Sequence, residues 1–378
     1  MADTATDTKP TKFQIPTVTI VPDSDLTILV LGPKDNNGKR TSTAFKVKSD
    51  VLKEKSQHFR SNIKFNKTGG FNHIRLEDDE IKAMRICFKL LHSTDEEEAI
   101  PEVVIRNITI AEIWGLVVAC DKCFFDDELE PPLISLFEKW YDANVDMTKM
   151  HEDYARQLAL PCVFFDHAEG FAAITKWLAY NCDGHISEKR PINLKWKHMH
   201  LCPPDFVGPM NQARGRLKTV LHNGIWTAVG ALLKKRDCDC GQLEPIRSRR
   251  HFPKTSLNGI MGWLDIFNTS VSQVGCSGCD VNWTQEVVQA KRVTSRYFDG
   301  LCLDCMNKSR PKRKDTDEDY WQYLNSVDGR WDSNCRIRHG EPTWYSSWCG
   351  RDEHRQRLMK NHRIEQGIRR GHSGGDSD

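Results

Sequence analysis

This sequence has almost no surplus of charge: 54 Lys and Arg stand against 52 Asp and Glu, a formal net charge of +2. So even a balance argues against a surface built throughout to grip nucleic acid, although it is compatible with local basic patches. Long apolar runs are missing as well. The longest, residues 113–120, is eight residues, far short of the roughly 18 that a membrane span needs. The opening MADTATDTKPTKF carries no apolar stretch of the kind found in a signal peptide. The expected compartment is therefore the cytoplasm or the nucleus, where disulfides rarely persist. The 14 cysteines are then expected to be core residues, metal ligands or reactive thiols. Catalytic signatures are lacking too. There is no Gly-x-Ser-x-Gly elbow, no Walker loop, no Gly-x-Gly-x-x-Gly after a strand and no His-Glu-x-x-His. The expectation is a protein that is not an enzyme.

What is present is ordinary globular material. Hydrophobic residues make up 39% of the 378 and charged residues 28%, which predicts two domains, or one domain with a helical extension. Residues 1–23, rich in Thr, Asp, Lys and Pro, read as a disordered lead-in. A β-rich run over 27–32, turn chemistry at Asp35-Asn36-Asn37-Gly38 and a second run over 44–47 predict a hairpin. A helix is expected over 50–62, with Leu52, Phe59 and Ile63 on one stripe, and a short strand over 71–76. Asp78 or Asp79 is suited to cap the next helix, where Ile81, Met84, Phe88 and Leu91 recur on one face. Thr109 and Glu112 form a capping box ahead of an apolar helix over 110–120, and Pro131-Pro132 suits the first turn of another over 133–143. Leu52, Phe59, Met84, Phe88 and Val117 are expected to share one core.

Beyond Asn144 the strand signal nearly vanishes. Helices are predicted over 153–164, 168–180, 209–222 and 225–235, with Asp166 and Glu169 at capping-box spacing. Residues 236–349 are rich in turns and cysteine, interrupted by one clear helix over 284–298, and 350–378 form a polar tail expected to be disordered at its end.

The order of elements over 24–143 resembles a BTB/POZ domain. The segments that carry the likeness are AspLeuThrIleLeuVal at 25–30, the run from Phe45 to Phe59, IleArgLeuGluAspAsp at 74–79, Phe88-Lys-Leu-Leu91 and Ala119-Cys-Asp-Lys-Cys-Phe124. The last departs from the family pattern, which places an aromatic residue directly after Asp-Lys; here Cys123 stands there and Phe124 follows. The helices over 144–235 are similar to the extension that commonly follows such domains. Gly300-Leu-Cys-Leu-Asp-Cys305 with Cys335-Arg-Ile-Arg-His339 resembles the Cys-rich end of filamentous-fungal BTB proteins. The resemblance implies an α+β fold: a small sheet with surrounding helices, then a mainly helical extension and a Cys-rich irregular region. It also implies a protein–protein interaction module that binds itself or a partner, with a cullin scaffold as one such partner.

Three Cys-x-x-Cys pairs occur, at 120/123, 276/279 and 302/305, with a tighter pair at Cys238 and Cys240. Zinc favours such pairs because one short loop supplies two corners of a tetrahedron. Cys120 continues the stripe of Ile110, Ile113 and Val117 and reads as a core residue. Cys276, Cys279, Cys302 and Cys305 have the spacing of a four-cysteine site. The intervening helix, however, would span roughly 22 Å, against ligand bonds of about 2.3 Å. Adding Cys238, Cys240, Cys335 and His339 gives eight candidate ligands, enough for two tetrahedral sites, whose pairing the sequence does not determine. Two readings stand side by side: at least one structural zinc drawn from these eight, or a reduced and partly exposed set of thiols.

The basic run over 308–314 reads either as a solvated loop neutralised by Asp315, Asp317, Glu318 and Asp319 or as a nuclear import signal. Six of the eleven tryptophans fall late, at Trp263, Trp283, Trp321, Trp331, Trp344 and Trp348. Together with nearby basic residues they define the competing function, a zinc-stabilised nuclear factor that touches nucleic acid.

Overall fold

The structure, a computed structural model, describes residues 15–34, 37–68, 73–93, 100–124, 131–191, 199–201, 206–234, 256–271, 283–309 and 335–339. These fall into two compact units. The first holds the residues through Val145 together with Pro191; the second holds Asp146–Arg190 and those from Met199 onward.

The first unit is built on a four-stranded sheet. Its strands are β1 (Thr17–Thr19), β2 (Leu26–Leu31), β3 (Ser42–Val47) and β4 (His73–Glu77), in the order β1-β3-β2-β4. β2 and β3 pair antiparallel, while β1 runs parallel to β3 and β4 parallel to β2. Gly38, at φ +75°, takes a left-handed position between β2 and β3 that favours glycine. Alternation sends Leu26, Ile28, Val30, Phe45, Val47, Ile74 and Leu76 into the interior, and register places Ile28 between Phe45 and Ile74.

Helices α1 (Ser49–Lys55), α2 (Gln57–Thr68), α3 (Ile81–His92), α4 (Glu102–Arg106), α5 (Ile110–Cys123) and α6 (Pro131–Asn144) complete the unit. Leu52, Phe59, Met84, Phe88 and Val117 are all fully buried. Phe88 is the hub of a ring cluster, with centroids 5.4 Å from Phe45, 6.0 Å from Phe59 and 6.2 Å from Phe124. The architecture is α+β.

Three local expectations change. Thr17–Thr19, inside the expected lead-in, is an edge strand paired with β3. The helix over 50–62 is two helices broken at extended Ser56, whose Oγ accepts from the Phe59 amide at 3.1 Å and donates to the Cys123 carbonyl. That serine caps α2 and ties it to the end of α5. Neither Asp78 nor Asp79 caps α3: Glu80 occupies the cap position without a side-chain bond. Asp78 instead adopts φ +63° and accepts from Arg40 at 2.9 Å, while fully buried Asp79 pairs with Lys122 at 2.7 Å. The Thr109–Glu112 capping box forms with both of its reciprocal bonds.

The second unit is helical among the described residues: α7 (Glu152–Phe164), α8 (Ala168–Asn181), α9 (Val207–Lys234), α10 (Leu257–Val271), α11 (Trp283–Ser295) and α12 (Leu303–Ser309). The two helices expected over 209–222 and 225–235 are one 28-residue helix. Asn223-Gly224 reads as a break, but Gly224 is where α11 crosses: a Cβ there would lie 2.7 Å from the Ala290 Cβ. Helix α10 falls in a stretch read as turns. Its Ser256 Oγ accepts from the Gly259 amide at 3.1 Å, and its Leu257, Met261 and Leu264 are buried. Asp166 does not cap α8; His167 does, through Nδ1 to the Gly170 amide at 2.9 Å. No described helix is long and apolar enough to cross a membrane.

Candidate metal centre

The centre is assembled from α8 outward. Where the chain leaves α11, Tyr180 Oη donates to the Thr294 carbonyl at 2.7 Å, Phe298 is fully buried, and Asp299 pairs with Lys176 at 3.2 Å. Gly300 follows at φ +99°, so close to α8 that a Cβ would overlap the Ala172 carbonyl. Only glycine satisfies both the backbone angle and this approach. The next amide, Leu301, donates to the buried Thr175 Oγ1 at 2.8 Å. These bonds register the following Cys302-Leu-Asp-Cys305 knuckle on the helix. The Met306 amide donates to the Cys302 carbonyl at 3.0 Å, so α12 starts directly after the first cysteine and carries the second within its opening turn.

Against this knuckle lies the segment 335–339. One donor atom from each of Cys302, Cys305, Cys335 and His339 lies within 4.8 Å of the other three. The Cys305 sulfur is 3.7 Å from that of Cys335 and 3.4 Å from His339 Nε2. A tetrahedron of bonds about 2.3 Å to sulfur and 2.0 Å to nitrogen has edges of roughly 3.8 and 3.5 Å. The spacing suits a zinc ion. The two knuckle cysteines are buried, whereas Cys335 and His339 are half-buried.

Hydrogen bonds from Cys305, Cys335 and His339 hold the Cys302 thiol well below the usual thiol range. Cys302 and Cys335, together with burial, push Cys305 up. The first thiolate thus forms readily and resists a second, a repulsion that a divalent cation removes.

A clamp fixes the two segments without using the sulfurs. The Arg336 amide donates to Asp304 Oδ2 at 2.7 Å, and its guanidinium donates to Asp304 Oδ1 from Nε at 3.0 Å and from Nη2 at 2.7 Å. The same guanidinium reaches both carboxylate oxygens of Asp166 at 2.8 Å and the Asp166 carbonyl at 3.0 Å. Asp166 takes φ +52° at the α7–α8 turn, which aims its carbonyl at the arginine. The two carboxylates raise the Arg336 pKa further.

Of the eight candidate ligands, Cys302, Cys305, Cys335 and His339 come together. Cys238, Cys240, Cys276 and Cys279 lie outside the described residues, as do most of the basic run over 308–314 and the tryptophans at 321, 331, 344 and 348. The conflict between the four-cysteine spacing and the helix over 284–298 resolves because the 302/305 pair takes its partners from 335 and 339. Cys120 and Cys123 are core residues of the first unit: Cys120 Sγ lies 4.0 Å from Cys87 Sγ, and burial raises the Cys123 thiol. None of Arg336, Asp304, Asp166, Thr175 and Gly300 was expected at the centre: Asp166 was read as a helix cap, and Gly300, Asp304 and Arg336 entered only within the cysteine-bearing segments. Their one local signal is adjacency, with Asp304 between two ligands and Arg336 beside a third. Comparison of the chain with protein-family models, curated proteins and solved structures finds no match.

Proposed function

We propose that this chain is a non-enzymatic docking protein, with a BTB-like interaction module in its first unit and a structural zinc stapling the second. The observation that carries the metal half is the Cys302–Cys305–Cys335–His339 cluster. Three thiolates and an imidazole fill all four positions of a tetrahedral ion, leaving none for substrate, as in structural zinc sites. Zinc bound there would supply folding energy by tying residues 335–339 to the knuckle.

Support for the interaction half comes from the surface between α3 and α4. A groove of about 350 Å³ runs there over Ile86, Ile100 and Val104, flanked by Arg85 and Lys89. Val103 and Val104 beside it are 66% and 44% exposed. Apolar side chains left in water next to cations suit a protein partner, either a second copy of the chain or a cullin scaffold.

Metal analysis and light scattering on the purified full-length protein test the two halves separately. Zinc in stoichiometric amount and a mass above that of one chain, or capture of a cullin by wild type and not by Val104→Asp, are the expected results. A zinc-free monomer that captures no cullin would contradict the proposal.

A further inference from the structure

We propose that the metal cluster is also a peroxide-responsive site, at which hydrogen peroxide links Cys305 to Cys335 as a disulfide and expels the metal. The metal part rests on the zinc reading above; the choice of sulfur pair rests on geometry alone. Cys335 is half-buried while Cys302 is fully buried and Cys305 nearly so, so a small oxidant meets Cys335 first. Thiolate sulfur is the nucleophile in such chemistry. The Cys335 sulfur attacks one peroxide oxygen, the O–O bond breaks, hydroxide leaves, and Cys335 becomes a sulfenic acid. The Cys305 thiolate, kept ionised by the cation and 3.7 Å away, then attacks the Cys335 sulfur; the S–S bond forms and the S–O bond breaks, releasing a second hydroxide. Two solvent protons turn the hydroxides into water, and the two sulfurs have together given two electrons to the peroxide. Zinc, left with Cys302 and His339, departs as the divalent ion.

Ordinary Cys-x-x-Cys chemistry would close the local pair, Cys302 with Cys305. The clamp selects otherwise. Asp304 and Arg336 are the immediate neighbours of Cys305 and Cys335, and their three hydrogen bonds fix the two backbones against each other without touching metal or sulfur. Loss of the ion therefore leaves Cys305 facing Cys335. An internal comparison exists in the first unit, where the Cys87 and Cys120 sulfurs are 4.0 Å apart. Both are sealed in the core, so they are expected to stay reduced.

The experiment takes the full-length, reduced, zinc-loaded protein through hydrogen peroxide from one to ten equivalents. A chromogenic chelator reads zinc, and mass spectrometry of a non-reducing digest reads the linkage. One equivalent of zinc released together with a Cys305–Cys335 linked peptide, both reversed by dithiothreitol and zinc, is the expected result. Retention of zinc with the thiols intact at ten equivalents, or a Cys302–Cys305 or Cys302–Cys335 linkage, would overturn the proposal. Arg336→Ala keeps all four ligands and should spread the linkages among the three thiols; an unchanged pattern would remove the clamp from the account. Should the starting protein hold no zinc, the metal reading fails by itself. The same digest of the metal-free protein then still decides the sulfur pair.

Discussion

Arg336 grips Asp166 across 170 positions of sequence with two hydrogen bonds of 2.8 Å to its carboxylate and a third of 3.0 Å to its carbonyl. The contact joins the segment carrying Cys335 and His339 to the turn between α7 and α8. Asp304, between the other two ligands, shares the same guanidinium. A planar fork that serves two carboxylates is something arginine supplies and lysine does not. Because the fork is nearly half exposed, its worth lies in geometry more than in raw stability.

Replacing Arg336 by Ala should therefore weaken zinc binding by about 10–100-fold, the usual scale for outer-shell partners, with stoichiometry unchanged. Competition against a chelator of known affinity reads the constant. Equal affinity in wild type and variant would show that the clamp does not orient the ligands.

Two glycines of α9 should respond in opposite directions. Gly215 has open space where a Cβ would be, so Gly215→Ala should stabilise by about 0.5–1 kcal/mol through helix propensity. Gly224→Ala drives a methyl to 2.7 Å from the Ala290 Cβ and should cost about 1–3 kcal/mol by prying α9 from α11. Thermal unfolding of the two variants beside wild type checks the sign of each.

Burial pushes the Glu188 carboxyl up to about 7, although its Oε2 accepts from the Leu201 amide at 2.9 Å. Among the described residues its Oε1 is buried without a partner. A carboxyl whose folded pKa exceeds its ordinary value near 4.5 holds its proton more tightly when folded. Its contribution is thus fully present below about pH 4.5 and fades as pH rises through about 7. The loss over that window is of order 3 kcal/mol. Glu188→Gln keeps an acceptor and carries no charge, so its melting temperature should match wild type at pH 4.5 and exceed it at pH 8. Parallel curves at both pH values would contradict this.

In the first unit, Asp79 is fully buried and burial raises its pKa, with Lys122 at 2.7 Å as its counter-charge. Lys122→Met leaves that carboxylate alone and should cost about 3–5 kcal/mol, whereas the double variant with Asp79→Leu should recover most of it. A double variant no more stable than the single one would place the cost elsewhere.

How much of this was legible beforehand follows from the range of each signal. Alternation in β2 and the 3.6-residue stripes of α3 and α5 are local, and they delivered three of the four strands, those helices and the shared core, whereas edge strand β1 was read as part of the lead-in. The Thr109–Glu112 box is local too. The cluster was half legible: residue types named Cys302, Cys305, Cys335 and His339 among eight candidates, but pairing over 30 residues is a tertiary fact. Gly224 misled because a glycine that admits a crossing helix looks the same in sequence as one that ends a helix. Asp166 misled likewise, since its spacing to Glu169 fits a cap while its side chain is taken by Arg336. Helix α10 hid behind Asn258-Gly259 and Gly262, although Leu257, Met261 and Leu264 keep helical spacing.

The most direct test of the central claim is zinc content measured on wild type and on Cys305→Ser by elemental analysis under reducing conditions. The account predicts that the variant holds one zinc fewer per chain than wild type. Equal metal in both, or none in wild type, would contradict it.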